Sequence, residues 1–599
     1  MSEIKRNYFH AADYVVMSLM IAGSAAVGIF FALKKNGSSN KSQSQASTSK
    51  KKSIGFGSSE LDEYLLGSRK MNVFPVAMSL VASYVSAVTV IGTPTDIYYY
   101  GSQYWMIIIS IIFMGVVVSY VYLPVFQKLR LNSSYQYLEL RFNFVLRSMA
   151  SFMFVMDEVL FLPMIVFVPS ITFNQVTGFS AIAISSILVC VCVFYTLVGG
   201  IKAVVHTDVW QVIVMYISVL VVVIIGTVTI GGPKTVFEIA SEGNRLVFAD
   251  ANATMYKKYS FWSVIIGGFF YWTGFNSVNQ TMVQRYLSLP TKKKAQGSVL
   301  IFTIGMAVFL SVCCYTGLLV YAFYQKCDPM RAGLVDKTDQ ILPLYVMQTI
   351  GQYPGLPGLF IAGVFGAALS SLSVVLNSTA LVIYEDIIKG TFRFKVPEKT
   401  SKWIVKGCIV VLGVISLGLV FVIEKLGNVL QVATTLTSIS AACTFGMFSL
   451  GMLIPWSNNV GAIAGTICGY VLSAWIAFGT SAASASGRLA SQTLPVSVEG
   501  CPSNTTIVPE TPEPDESDVF PLYRLSYMWL TMIGFLTVMF VGTVVSLLTG
   551  PRNLRTVDPD LLSPVIHKCL PKEVFLQDTE TRTRASLTRE NTAATLVPK

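Results

Sequence analysis

The sequence predicts an all-α integral membrane protein. Three observations carry that prediction. Apolar runs long enough to cross a bilayer recur along nearly the whole chain, 53% of its 599 residues are hydrophobic, and only 13% are charged. A soluble domain carries about a quarter charged residues, and a helix needs about 20 apolar residues to cross roughly 30 Å of hydrocarbon.

The runs predict about thirteen transmembrane helices, near 12–34, 72–98, 104–126, 147–173, 180–198, 209–231, 261–284, 297–324, 356–384, 403–424, 428–452, 458–479 and 525–549. Lys34 and Lys35 follow the first run where a cleavable signal would show small residues, so it is read as a retained span. The second run, within NVFPVAMSLVASYVSAVTVIGTPTDIYYYG, holds Gly92 and Pro94, which can break a helix midway. The seventh, FWSVIIGGFFYWTGFNSVNQTMVQ, holds Gly274 followed by Asn276, Asn279 and Gln280. If spans two to six and seven to eleven form two halves, each half opens on an interrupted helix, the arrangement that marks a transporter's central site. The organisation expected is an extracellular N-terminus (1–11), one transmembrane domain (12–550) and a disordered cytoplasmic tail (551–599). A Ser- and Lys-rich low-complexity loop lies near 38–52. TRTRASLTRE in the tail has the pattern of a basophilic kinase substrate around Ser586.

The net charge of +11 resides in particular loops, which is a topology signal and no sign of nucleic-acid binding. Lys41, Lys50 to Lys52, Arg69 and Lys70 follow the first span. Lys128, Arg130 and Arg141, then Arg285 and Lys292 to Lys294, then Lys389, Arg393, Lys395 and Lys399 fill alternate loops further on. Those loops are expected in the cytoplasm of a plasma-membrane protein, with the N-terminus outside. The sequons at Asn252 and Asn504 fall on the opposite side, as glycosylation requires, whereas Asn132 falls inside. Cys327 and Cys501 share the outer side and are candidates for a disulfide, which spacing alone does not decide. There is no CxxC pair, and the three histidines, His10, His206 and His567, give zinc or haem almost no ligands.

One apolar stretch, GAALSSLSVVLNS (366–378), carries paired hydroxyls at its centre. Ser in a membrane helix usually bonds its own backbone or lets helices pack closely. A second reading is that Ala367, Ser370 and Ser371, spaced i, i+3, i+4, share one face and offer uncharged oxygens to a hard cation such as sodium.

The motifs NQVTG (174–178), YTLVGGIKAVVHTDVWQ (195–211), NQTMVQRYLS (279–288) and AALSSLSVVLNS (367–378) resemble the sodium/solute symporter family over residues 10–550, closest to its monocarboxylate, multivitamin and iodide branch. The resemblance implies a LeuT-like inverted five-plus-five repeat with extra terminal helices. It implies a sodium site at Ala82, Val85, Ala367, Ser370 and Ser371. It implies a second cation position at Ser83, Asp208, Gln211 and Gln280, as in some members. On physical grounds Asp208 needs an ion or a polar partner, and Lys202 or His206 would serve. A substrate pocket is expected near Tyr84, Ser86, Thr89, Trp272, Thr273 and Asn276. Thr89 stands where the iodide and multivitamin pattern tends to have Gln. Arg285, at the inner end of its span, is read as a snorkelling or loop-fixing residue.

The expectation is therefore a sodium-coupled symporter that imports a small organic anion, a monocarboxylate or vitamin-like acid, by alternating access. Sodium is the only metal and no cofactor is expected. The alternatives are a small-anion symporter for iodide, or a sensor or sodium-leak channel on the same fold. An enzyme is not expected, because no nucleophile–base pair or metal cluster stands out.

Overall fold

The computed structural model describes residues 9–45, 60–248, 250, 254–426, 429–490, 492–502, 507–509 and 514–571. Asn252, Asn504 and Ser586 lie outside the described residues. Nine helices among the described residues are long and apolar enough to cross a membrane, and one bent pair joins them as a broken span.

The main helices, in chain order, are α1 (Ala11–Gln45), α2 (Val73–Tyr84), α3 (Ala87–Tyr100), α4 (Ser102–Leu129), α5 (Phe144–Thr177), α6 (Ala181–Ile230), α7 (Gly268–Val278), α8 (Gln280–Leu287), α9 (Lys292–Tyr324), α10 (Leu356–Thr391), α11 (Glu398–Leu426), α12 (Val429–Leu453), α13 (Asn459–Ala485) and α14 (Leu530–Leu548). The helix α6 is two spans in one, separated at Gly200, whose φ of 61° and ψ of −163° suit only a residue without Cβ. α1 continues to Gln45, into the stretch read from sequence as a low-complexity loop.

The most deeply enclosed element is α10. Its apolar segment is 94% buried, against 33% for α6 and 28% for α1. It lies along α6 and α5 and meets α2 and α3 where they join. Asp13 of α1 fixes its start: Oδ1 accepts from the backbone N–H groups of Gly355 (2.8 Å) and Gly358 (3.0 Å), satisfying donors that a helix N-terminus leaves open. A helix enclosed on all sides can afford hydroxyls only where each finds a partner.

At the periphery α12, α13 and α14 pack together. Their contact rests on small residues: a Cβ added at Gly465 would meet Val538 O at 2.7 Å and Gly542 Cα at 2.9 Å. Cys327 and Cys501 are bonded, with their Cα atoms 4.9 Å apart. The first part of the tail departs from the sequence expectation, while residues 572–599 lie outside the described residues. Residues 551–571 form short turns against the ends of α4 and α12 instead of a disordered strand. Tyr137 Oη donates to Leu561 O (3.0 Å), Ser563 N to Met452 O (3.0 Å) and Ser563 Oγ to Val121 O (2.9 Å).

Candidate functional site: two broken helices and the oxygens around them

The first break is at Val85 and Ser86, and not at Gly92 or Pro94 as expected. Both of those sit inside α3, which continues through them to Tyr100. Val85 (φ −79°, ψ 105°) and Ser86 (φ −98°, ψ 170°) are extended, and the two arms bend by 59°. β-Branched Val and hydroxyl-bearing Ser are both weaker helix formers than their neighbours Ala82 and Ala87. A Pro in the first turns of a helix costs little; the hydrogen bond it removes is unmade there anyway. Here Pro94 lies further along, and α3 continues through it to Tyr100.

The break frees backbone oxygens. In an unbroken helix Ala82 O would accept from Ser86 N and Val85 O from Thr89 N. Instead Thr89 N bonds Ser86 O (3.0 Å). Both carbonyls face α10. Ser370 Oγ lies 3.0 Å from Ala82 O and 3.0 Å from Ala367 O; Ser371 Oγ lies 3.5 Å from Ala82 O and 3.3 Å from Val85 O. All five residues are at most 2% exposed. The set is three carbonyls and two hydroxyls, without a formal charge. Oxygens arranged at right angles around a hard cation at about 2.4 Å would stand about 3.4 Å apart, so the observed spacings suit one ion of that kind.

The second break is built differently. Asn279 (φ −62°, ψ 132°) separates α7 from α8, and its side chain accepts from Thr281 N (2.8 Å), an N-cap that starts α8. The two breaks touch through aromatic rings. Tyr84, the last residue of α2, stacks on Trp272 of α7 with ring centroids 4.0 Å apart, and Phe275 meets Tyr84 edge-on at 5.5 Å. Beside this stack Thr273 and Asn276 are fully buried, and Thr273 Oγ1 and Asn276 Oδ1 have no hydrogen-bond partner among the described residues. Ser86 is buried and Thr89 half-buried at the start of α3.

Asp208, on α6, is fully buried. Its Oδ2 accepts from Ser79 Oγ and lies 3.9 Å from Arg285 Nη2, while Arg285 Nε donates to Ser79 Oγ (2.8 Å) and Nη1 to Thr281 O (2.6 Å). The partners of Asp208 differ from the two expected from sequence. Lys202 pairs with Glu63 (2.7 Å) and His206 Nδ1 faces Lys202 O (2.7 Å), so neither is the partner of Asp208. Arg285 does not snorkel: at 2% exposed it is a buried strut from α8 to α2 and α6. Of the other residues expected around Asp208, Ser83 donates to Ser79 O and Gln211 to Ser24 Oγ (3.1 Å). Gln280 is drawn elsewhere, accepting from Ser134 N (2.7 Å) and donating to Asn132 O (3.4 Å).

Comparison with known proteins places this architecture. The sodium:solute symporter family profile matches residues 64–469. The chain is 35% identical to sodium-coupled monocarboxylate transporter 2 of Mus musculus, covering 93% of this chain and 87% of that protein. It is 36% identical to sodium-coupled monocarboxylate transporter 1 of Homo sapiens (94% and 90%) and 34% identical to the sodium-dependent multivitamin transporter of Oryctolagus cuniculus (95% and 87%). The chain belongs to the sodium:solute symporter family.

As a member of that family it is a membrane transporter with sodium as its coupling ion, and not an enzyme. Its fold is shared with a Na+-coupled sialic acid symporter in a substrate-bound, outward-open state, at a TM-score of 0.72, 20% identity, 91% of this chain and all of the other. A nucleobase-cation symporter in a closed conformation is more distant, at a TM-score of 0.50 and 11% identity, with 85% and 98% covered. The LeuT-like five-plus-five arrangement follows, with α2 to α6 as one unit and α7 to α12 as the other. Among sites the symporter fold assembles, the sequence missed two: Ser79 as the hub of the Asp208 pair, and the carboxylates Asp157 and Glu158 on α5. The first carries no distinctive pattern. The second was legible as two acids inside an apolar span.

Proposed function

We propose that this chain imports a small organic anion, a monocarboxylate or a vitamin-like acid, across the plasma membrane by sodium-coupled alternating access. Its N-terminus is outside and its C-terminus in the cytoplasm. The observation that carries the reading is the convergence of Ser370 and Ser371 on the freed carbonyls of Ala82 and Val85. Sodium held there ties the first broken span to α10, joining the two structural units while the pocket faces outward. Anion then binds beside Tyr84 and Trp272, where the hydroxyl of Thr273, without a hydrogen-bond partner among the described residues, is free to donate. Release of sodium inward lets the units rock apart.

The substrate class draws support from the monocarboxylate and multivitamin transporters among the relatives. One sodium carried with one monoanion moves no net charge. A tenfold sodium gradient then supplies about 1.4 kcal/mol and sustains about tenfold accumulation.

The experiment is an uptake panel in cells expressing the full chain, over lactate, pyruvate, short fatty acids, biotin, pantothenate, iodide and glucose, with sodium present or replaced by choline. Uptake of an organic acid that requires sodium, and is lost in Ser370→Ala with Ser371→Ala at unchanged surface expression, is expected. Sodium-independent uptake, or normal uptake by that variant, overturns the reading. Selective uptake of iodide would retain the sodium site and replace the substrate class.

A further inference from the structure

The two five-helix units are inverted copies, and the Ser370 site lies between the break of one and the third helix of the other. The fold therefore contains a second, symmetry-related location: the break at Asn279 against α5, the third helix of the first unit. Ser370 stands 14 residues after the start of α10 at Leu356. Fourteen residues after the start of α5 at Phe144 stands Glu158, with Asp157 before it.

Both carboxylates are buried in the membrane interior, Asp157 at 8% exposed and Glu158 at 4%. Glu158 Oε1 accepts from Thr281 Oγ1 (3.2 Å) of α8, which lies 3.0 Å from Ser378 Oγ of α10. Asp157 Oδ1 accepts from Thr437 Oγ1 (2.6 Å) of α12. Its Oδ2 has no hydrogen bond or ion pair among the described residues. The residue lines a cavity of about 10 Å³ shared with Tyr135, Phe275, Asn279, Ser440 and Thr444. That is room for about one water or one bare ion.

No lysine or arginine among the described residues pairs with either acid. The ionisable groups near them include Tyr135, Tyr271 and Tyr470, whose phenols are ordinarily uncharged at neutral pH, and Asp386, which pairs with Arg147 at 2.7 Å. Adjacent carboxylates in hydrocarbon persist only with a compensating positive charge.

We propose that Asp157 and Glu158, with the hydroxyls of Thr281 and Thr437, form a second coupling site that takes up one monovalent cation, a sodium ion or a proton. The site differs from the Ser370 set in kind: there uncharged oxygens hold a cation reversibly, while here a fixed negative charge demands one. For a monoanionic substrate the consequence is direct. A second cation lets each cycle carry one net positive charge inward, because the emptied site returns with its negative charge, so the membrane potential drives import. The inference shares the symporter reading but does not depend on the substrate.

The test is binding of radioactive sodium to the purified full-length protein in detergent, together with proton uptake on mild acidification, read by an indicator dye. If sodium is the occupant, the wild type binds two ions per chain, and Asp157→Asn with Glu158→Gln halves that number. If a proton is the occupant, sodium binding stays at one ion, and the carboxylate variant loses one proton of uptake relative to wild type. Either result supports the site. A variant that equals the wild type in both measurements overturns it. Should the double variant not fold, Asp157→Asn alone keeps an oxygen for Thr437 and is read in the same way. Wild-type binding of one sodium with no proton uptake overturns the proposal without any variant. The Ser370→Ala, Ser371→Ala protein is measured alongside; retention of all sodium by that protein refutes the first site and leaves the second to be judged by its own variant.

Discussion

The two helix breaks solve one problem in opposite ways. At Val85 and Ser86 two residues are extended, no side chain caps the new helix start, and the freed carbonyls turn to the hydroxyls of α10. At Asn279 a single residue is extended, its own side chain caps α8, and the surrounding polar groups include two carboxylates. The first break is therefore left incomplete by its own sequence and is completed from another unit. The second is locally complete, and its neighbours carry the charge. An ion that completes the first break changes the contact between units, which is what a coupling ion must do.

The largest expected effect follows from that incompleteness. Hydrogen bonds or ligand contacts to a charged group contribute about 1.5–3 kcal/mol each. Ser370→Ala with Ser371→Ala should therefore weaken sodium binding by at least about a hundredfold. Sodium titration of uptake checks it: a half-saturating concentration that is unchanged would mean that the break is completed by something else.

Arg285 spans both breaks, standing on α8 and reaching Ser79 of α2 and Asp208 of α6. Removing one partner of a buried pair costs about 3–5 kcal/mol, because the other charge is stranded. Arg285→Met should lower the unfolding temperature sharply, and Asp208→Asn in the same chain should recover most of the loss. If the second change gives no recovery, the strut acts through Ser79 alone.

This strut also shows what the sequence could and could not tell. The paired serines, the i, i+3, i+4 face and the need of Asp208 for a partner were all legible, because they are local patterns. The partner itself was not. Lys202 and His206 are nearest in sequence, yet α6 turns Lys202 to Glu63, while Arg285 arrives from 77 positions away through the fold. The break at Val85 was missed for a related reason. Gly92 and Pro94 are the stronger helix breakers in isolation, but tertiary contacts with α10 reward an opening two turns earlier. The turns at 551–571 were hidden because their apolar residues stand among prolines without a helical period, and their docking depends on backbone acceptors at Val121 and Met452.

The acid pair offers a smaller but cleaner contrast. A cation at Asp157 and Glu158 makes transport of a monoanion electrogenic, and one charge across 100 mV corresponds to about 2.3 kcal/mol, or about fiftyfold in accumulation. Asp157→Asn with Glu158→Gln should reduce steady-state accumulation by at least that factor, and by about a further tenfold where the lost cation is sodium under a tenfold gradient, and abolish the substrate-evoked current, while uptake at zero potential continues. A current of wild-type size in the variant would assign the second charge elsewhere.

The smallest effect separates the breaks by their caps alone. Replacing an N-cap Asn by Ala costs about 1 kcal/mol when its side chain holds a backbone N–H, as Asn279 Oδ1 does for Thr281. Ser86 occupies the equivalent position before α3, but its hydroxyl makes no cap bond. Asn279→Ala should therefore lower thermal stability measurably, whereas Ser86→Ala should stay within about 0.5 kcal/mol of wild type. Because Ser86 also borders the Tyr84 and Trp272 stack, its loss should register instead as a higher KM for substrate with little change in stability. Equal destabilisation by both substitutions would mean that the first break is capped after all, and that its carbonyls are less free to hold an ion than the geometry indicates.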